Sequence, residues 1–264
     1  MKDILEEIIA NKRLEVERLK ESVSLESICI QAVQTKRPVI SLKHALEGSK
    51  SGIIAEFKRK SPSKGWINRD AKPETVVKLY EKGGASAVSV LTDEKFFGGH
   101  IDHIKWVRPL INIPILRKDF IIDPYQIAEA RVAGADAILL IAAALSVEEC
   151  KGLALYAKTL GLEVLLEIHS PSELKYIDDN IEIVGVNNRS LGTFITRVET
   201  SIEMADVMKD VISNKKILVS ESGISKPDTV KMLRKHGYRG FLIGENFMSS
   251  ENQGVALKEF ISEL

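Results

Sequence analysis

The strongest constraint on this chain is a repeat. From residue 53 onward, short apolar runs alternate with stretches of helical period. The runs are Ile53–Phe57, Ala87–Leu91, Ile113–Arg117, Ala135–Ile141, Glu163–Ile168, Ile181–Val186, Lys216–Ser220 and Gly240–Ile243. Helical period covers Pro73–Lys82, Pro124–Ala133, Ser146–Leu160, Pro171–Ile177, Glu199–Lys209, Lys226–Lys235 and Asn252–Leu264. Short, nearly continuous apolar runs suit parallel strands covered on both faces. The punctuation agrees. Gly83-Gly84, Gly134 and Gly161 each end a helix just before a strand, and glycine is the favoured stop there. Pro73, Pro124, Pro171 and Pro227 fall near helix starts, where a missing N–H does no harm. Eight βα units with no break in composition predict an α/β fold, the (β/α)8 TIM barrel. The competing architecture is an open doubly wound sheet, but no Gly-x-Gly-x-x-Gly follows the first strand.

The 264 residues suit one barrel domain of about 250, so residues 1–264 are read as a single domain. Residues 1–52 are read as an N-terminal helical extension packed on the barrel. Within Met1–Lys20, Ile4, Leu5, Ile8, Ile9 and Lys12 alternate with Glu6, Glu7 and Asn11 in an amphipathic pattern. That pattern describes a surface helix laying one stripe on the body, or a partner-binding helix, and not a signal sequence. Lys plus Arg and Asp plus Glu are both 37, so the formal net charge is zero. Nothing in that balance drives the whole chain toward nucleic acid or an anionic membrane. No obligate protein partner is evident either. Cys29 and Cys150 are isolated and fit no ligand or redox spacing, which suggests a reduced, cytoplasmic setting. No apolar run approaches the ~20 residues needed to span a bilayer.

Barrel enzymes work at the C-terminal ends of their strands. Those positions hold Glu56 and Lys58, Lys118 and Asp119, Glu167 and His169, Asn187 to Arg189, Glu221 and Ser222, and Gly244 and Glu245. Side chains alternate along a strand, so Glu56 and Lys58 share a face, while Asp119 points away from Lys118 and is read as structural. Glu56, Lys118, Glu167 and Glu221 come from the four odd strands and should ring one mouth. A lone strand-end charge is usually solvated, but four on alternate strands indicate a site. His169 is read either as a base or as a cap of the next helix. His100 and His103 have helical spacing but no convergent ligands, so no metal is expected. Ser222, Gly223, Gly244 and Glu245 follow the last two strands, where barrels often build a phosphate site from loop N–H groups.

These residues resemble the indole-3-glycerol phosphate synthase family over essentially the whole chain. The resemblance rests on Ile-Ala-Glu-Phe-Lys-Arg-Lys-Ser-Pro-Ser at 54–63, Leu-Thr-Asp at 91–93 with Phe-Phe-Gly-Gly at 96–99, and Leu-Arg-Lys-Asp-Phe-Ile-Ile-Asp-Pro-Tyr-Gln-Ile at 116–127. It continues through Glu-Val-Leu-Leu-Glu-Ile-His at 163–169, Val-Gly-Val-Asn-Asn-Arg at 184–189 and Ser-Glu-Ser-Gly-Ile at 220–224. The resemblance implies a lyase of tryptophan biosynthesis. Its small-molecule phosphorylated substrate would be 1-(2-carboxyphenylamino)-1-deoxyribulose 5-phosphate, cyclised with loss of carbon dioxide and water.

By the same resemblance Lys118 matches the general acid and Glu167 the base. Lys58 matches the lysine that holds the anthranilate carboxylate, and Glu56, Asn187 and Glu221 match the polar ring. Arg189, Ser222, Gly223 and Gly244 match the anion site, with Ser61 a further candidate. Some relatives have a small hydroxyl residue where this chain has Glu245, so only the Glu245 backbone N–H is assigned to phosphate. Phe120, with Leu139 or Leu140, would cover the aromatic ring. No cofactor or metal is expected, because rearomatisation drives the decarboxylation. Two rivals are weighed. A phosphoribosyl sugar isomerase would need Asp or Cys where strand one has Glu and Lys. A non-catalytic phosphate-binding barrel would have no use for the intact Lys118, Glu167 and Lys58.

Overall fold

The computed structural model describes residues 4–190, 195–209 and 215–264. Eight parallel strands close into a barrel: β1 (Ile53–Phe57), β2 (Ala87–Leu91), β3 (Ile115–Lys118), β4 (Ala137–Ile141), β5 (Glu163–Ile168), β6 (Ile183–Asn187), β7 (Ile217–Glu221) and β8 (Gly240–Ile243). Each strand pairs with the next, and β1 closes the ring against β8, with Ile53 opposite Phe241. Closure decides against the open sheet. Four of the strands have the bounds expected from sequence. The other four begin or end one or two residues later, as strand ends commonly do.

The faces alternate as a barrel demands. Ile53, Ala55 and Phe57 join the apolar layer beneath the outer helices, while Ile54 joins Leu116, Leu165 and Val219 in the barrel interior. Two residues further along β1, β3, β5 and β7 come Glu56, Lys118, Glu167 and Glu221, so the same inward face carries charge at the mouth. The register brings Ile141 opposite Glu167 and Asn187 opposite Glu221.

The outer helices read from sequence form within two residues of their expected bounds except at Pro171–Tyr176, which is a six-residue 3-10 helix, and the outer layer has a further helix between β2 and β3, Asp102–Val107, that the sequence reading did not include. A short antiparallel hairpin, Lys60–Ser61 with Gly65–Trp66, follows β1. It was not foreseen, since two-residue strands carry no periodicity.

Three helices precede the barrel: α1 (Ile4–Ser22), α2 (Leu25–Gln34) and α3 (Leu42–Glu47). The first three residues of the expected Met1–Lys20 helix lie outside the described residues. Leu5 and Ile8 of α1 and Leu42 and Leu46 of α3 belong to the same apolar cluster as the barrel interior. Helix α2 runs along the helix Pro124–Ala133. Ser41 Oγ donates to Glu163 Oε1 (2.5 Å) and the Lys43 N–H donates to Glu163 Oε2 (2.9 Å), fixing α3 under the start of β5. No described helix is long and apolar enough to cross a membrane.

Candidate active site

Strand geometry brings the four odd-strand charges together. Lys118 Nζ donates to Glu167 Oε2 at 3.1 Å and lies 3.5 Å from Glu221 Oε2. Lys58 Nζ lies 2.7 Å from Glu56 Oε1. Asn187 Nδ2 donates to Glu167 Oε1 at 3.1 Å, and His169 Nε2 is 3.3 Å from the same oxygen. Glu167 and Glu221 are almost fully buried (2% and 1% exposed), whereas Lys58 and Lys118 keep 14% and 15% of their side chains open. The two ammonium groups therefore face the cavity and the acids stand behind them.

Two absent side chains make room for this ring. A β-carbon at Gly185 would run into Glu221 Oε1, and one at Gly244 would run into Glu56 Oε1. In a packed barrel interior such clashes force side chains off their rotamers. Glycine at these two positions is what lets the carboxylates lie where they do.

Burial and charge work against each other here. Burial alone would lower the Lys118 pKa, but Glu167, Glu221 and Glu56 together hold its ammonium above the usual lysine value. Burial pushes Glu167 up, yet Lys118, His169 and Asn187 outweigh it and keep the carboxylate ionised well below its usual range. For Glu221 burial wins. Lys118 pulls it down, the carboxylates of Glu167 and Glu56 push it further up, and it titrates at about 8. Two acids a few ångströms apart thus sit in opposite protonation states near neutral pH. Such separation marks acid–base sites.

The cavity above the ring holds about 650 Å³. Glu56, Lys58, Lys118, Phe120, Glu167, Asn187, Arg189, Glu221, Ser222, Gly223, Gly244 and Glu245 all line it. Ser61 does not. It is buried in the hairpin, and its neighbours Pro62, Ser63 and Lys64 line the cavity in its place. Ser61 ends the first hairpin strand and packs inward, while Ser63, in the turn that follows, faces the mouth. Of the two leucines, Leu139 faces the cavity and Leu140 joins the outer layer. Leu139, Ile141, Phe97 and Phe120 add an apolar stretch to the cavity wall beside the charges. The Phe97 and Phe120 rings lie 5.9 Å apart.

At the far end, Arg189 is held by hydrogen bonds to Ser63 Oγ (3.4 Å) and Thr196 Oγ1 (3.3 Å). Asn188 donates to Ser220 Oγ and to the Ser222 carbonyl, both at 3.0 Å, and so ties the β6 loop to the β7 loop. Ser222 is the only described non-glycine residue with positive φ, at 68°, a conformation costing roughly 1–3 kcal/mol. Stored strain of this kind concentrates at functional loops.

Asp119 faces away from the ring. It accepts from Thr92 Oγ1 (2.6 Å) and Arg117 Nη2 (3.1 Å) and lies 2.9 Å from Lys12 Nζ. Lys12, only 1% exposed, also lies 3.0 Å from Asp93 Oδ2 and 2.9 Å from Glu15. The sequence had put Lys12 on the buried stripe of α1, but not its partners. A lysine on an apolar stripe can meet buried acids or carry its amine out to solvent, and the sequence does not separate the two. His169 does not cap the next helix with its ring. Its backbone N–H donates to Glu173 Oε2 (2.5 Å), freeing the ring to approach Glu167. His103 stacks edge-on against Phe57 (centroids 5.8 Å apart), and burial lowers its pKa to about 4. Among the described residues no cluster of His, Cys, Asp and Glu is placed to hold a metal ion.

Comparison with known proteins bears on this geometry. The family model described as indole-3-glycerol phosphate synthase matches residues 5–260. A relative of that name from Bacteroides thetaiotaomicron is 55% identical, covering 100% of both chains. One from Carboxydothermus hydrogenoformans is 40% identical, covering 98% of this chain and 99% of its own. Among solved structures, a mutant tryptophan synthase alpha-subunit from Pyrococcus furiosus superposes with a TM-score of 0.61 at 20% identity, covering 81% of this chain and 97% of its own. That likeness shows the barrel fold alone. The match over nearly the full length and the close relatives settle the family: the chain belongs to the indole-3-glycerol phosphate synthases.

Proposed function

We propose that the mouth cavity converts 1-(2-carboxyphenylamino)-1-deoxyribulose 5-phosphate to indole-3-glycerol phosphate, carbon dioxide and water, and that the residues described above divide the work. The carrying observation is Lys118, 3.1 Å from Glu167 and 3.5 Å from Glu221, at the floor of a cavity whose far end carries Arg189. A substrate with a carboxylate at one end and a phosphate at the other meets Lys58 and Lys118 at one side and Arg189 at the other. Its aromatic ring meets the wall of Phe97, Phe120, Leu139 and Ile141.

Ring closure places negative charge on the ketose oxygen as the aromatic carbon attacks. Lys118 gives that oxygen a proton, and the Glu167 carboxylate beside it holds the ammonium in place until then. Lys58 pairs with the anthranilate carboxylate. Loss of carbon dioxide restores aromaticity and needs no electron sink beyond the ring itself. Glu167, kept ionised by Lys118, then takes the proton released on dehydration, and a lysine at the mouth protonates the departing hydroxyl. Asn187 fixes the Glu167 carboxylate through its 3.1 Å bond. Glu221, protonated near neutral pH, adds no charge to the ring, and Glu56 orients Lys58. Ser222, Gly223, Gly244 and the Glu245 N–H line the phosphate end with Arg189.

The protein is expected to turn this substrate over with a rise in indole fluorescence. Silence at saturating substrate would sink the assignment. Lys118→Ala is expected to lower kcat by at least 10²-fold, the usual share of a general acid, while the variant still binds inorganic phosphate. Near-normal turnover would remove Lys118 from its role.

A further inference from the structure

We infer that Glu245 is an internal competitor for the substrate's phosphate: its carboxylate holds Lys64 and Arg189 in the free protein and yields both to the incoming anion. The inference rests on the placing of phosphate at the Arg189 end of the cavity. Glu245 directly follows Gly244, at the end of β8, and lines that end with Lys64 and Arg189. Lys64 Nζ donates to Glu245 Oε1, and Arg189 Nη2 lies 3.8 Å from Glu245 Oε2. Among the described residues, Glu245 is the only carboxylate within ion-pair reach of either cation. Among the described residues, the other side-chain partners of Arg189 are the neutral hydroxyls of Ser63 and Thr196.

Three separate loops meet at this carboxylate: the hairpin after β1, the end of β6 and the end of β8. A phosphate bonded to Arg189 and to the loop N–H groups would stand beside it, like charge against like. The carboxylate does not escape by protonation. Burial pushes it up, but Lys64, Lys58 and Arg189 hold it below the usual range. It must therefore move. Its side chain is one-third exposed, so it can turn out to water while the backbone N–H stays in place. A small anion gains little from displacing it, because two ion pairs break for those that form. A ligand that also brings an aromatic ring and a carboxylate to the other end of the cavity gains enough.

The test titrates inorganic phosphate into the full-length protein by calorimetry. One unit charge about 4 Å from another in water is worth roughly fivefold in an equilibrium constant, and a dianion more. Glu245→Gln is therefore expected to tighten phosphate about five- to tenfold and to lower KM in the same direction. Lys64→Ala is expected to weaken phosphate more in the Glu245→Gln background than in the natural protein, because only there does Lys64 meet phosphate without first giving up an ion pair. Unchanged or weaker phosphate binding in Glu245→Gln overturns the inference, and Glu245→Ser, which also removes the charge, checks that result. Arg189→Ala separates the two levels. If it weakens phosphate and raises KM while Glu245→Gln tightens nothing, only the competitor role falls. If it changes neither, phosphate binds elsewhere and the reading of this end of the cavity falls with it.

Discussion

At the scale of single residues, Glu221 shows how placement rather than identity decides chemistry. The sequence places Glu56, Glu167 and Glu221 on the same footing, as acids at the ends of odd strands. Only packing separates them. Glu167 receives Asn187, His169 and Lys118, while neither Glu221 oxygen has a hydrogen-bond partner among the described residues. Burial then raises Glu221 to about 8 from an ordinary 4.5. The native protein thus keeps a proton that the unfolded chain has released, so stability falls as pH rises across that window and levels off above it. Glu221→Gln cannot ionise. Its unfolding midpoint is expected to gain on the natural protein between about pH 4.5 and about pH 8, and then to hold a constant difference. Thermal unfolding measured across pH checks this, and a difference independent of pH would place the Glu221 pKa elsewhere. Above about 8, a second negative charge beside Glu167 opposes an anionic substrate, so the alkaline fall in kcat/KM is expected to soften in the same variant.

At the scale of elements, legibility followed packing density. Barrel strands read clearly because burial on both faces demands near-continuous apolar sequence. The odd-strand charges read clearly because that demand makes a charge conspicuous. The hairpin is too short to show a period, the six residues Pro171–Tyr176 are too few to tell an α-helix from a 3-10 helix, and misplacing Ser61 follows from missing the hairpin. Lys12 was visible but mute, since a lysine on an apolar stripe either stretches its amine to solvent or meets buried acids. Here it meets Asp93 and Asp119, so α1 is pinned beside the residue that follows Lys118. Removing one partner of a buried ion pair costs about 3–5 kcal/mol, because the others stay buried without a counter-charge. Lys12→Met is expected to destabilise by that order, measured by denaturant unfolding. A change below about 1 kcal/mol, the surface-pair range, would mean that the cluster is hydrated. We propose that residues 1–52 fold as part of one unit with the barrel. Unfolding is then a single transition by circular dichroism and by Trp66 and Trp106 fluorescence together, and a separate early transition for the extension would count against it.

At the scale of the whole molecule, the barrel separates holding from acting. Mouth residues carry buried charge with acids crowded together, strain at Ser222 and a carboxyl raised to about 8, all of which cost stability. The opposite end holds a network centred on Asp136, which is fully buried just before β4. Asp136 Oδ1 accepts from Arg37 Nη1 (2.8 Å) and the Ile40 N–H (2.9 Å), and Oδ2 from Arg108 Nη1 (2.7 Å) and the Ile115 N–H (2.9 Å). One carboxylate thereby joins the segment leading into α3, the chain just after the helix Asp102–Val107 and the first residue of β3. Charge-assisted bonds are roughly twice as strong as neutral ones, and Asp136→Ala leaves two guanidinium groups and two N–H groups short of a partner. The expected loss is about 3–5 kcal/mol of stability. No mouth residue touches Asp136, so the kcat and KM of the fraction that remains folded are expected to stay within about twofold of the natural protein. Denaturant unfolding and steady-state kinetics on the same preparation check both halves. A large fall in kcat without loss of stability would show that the two ends of the barrel are coupled through the strands.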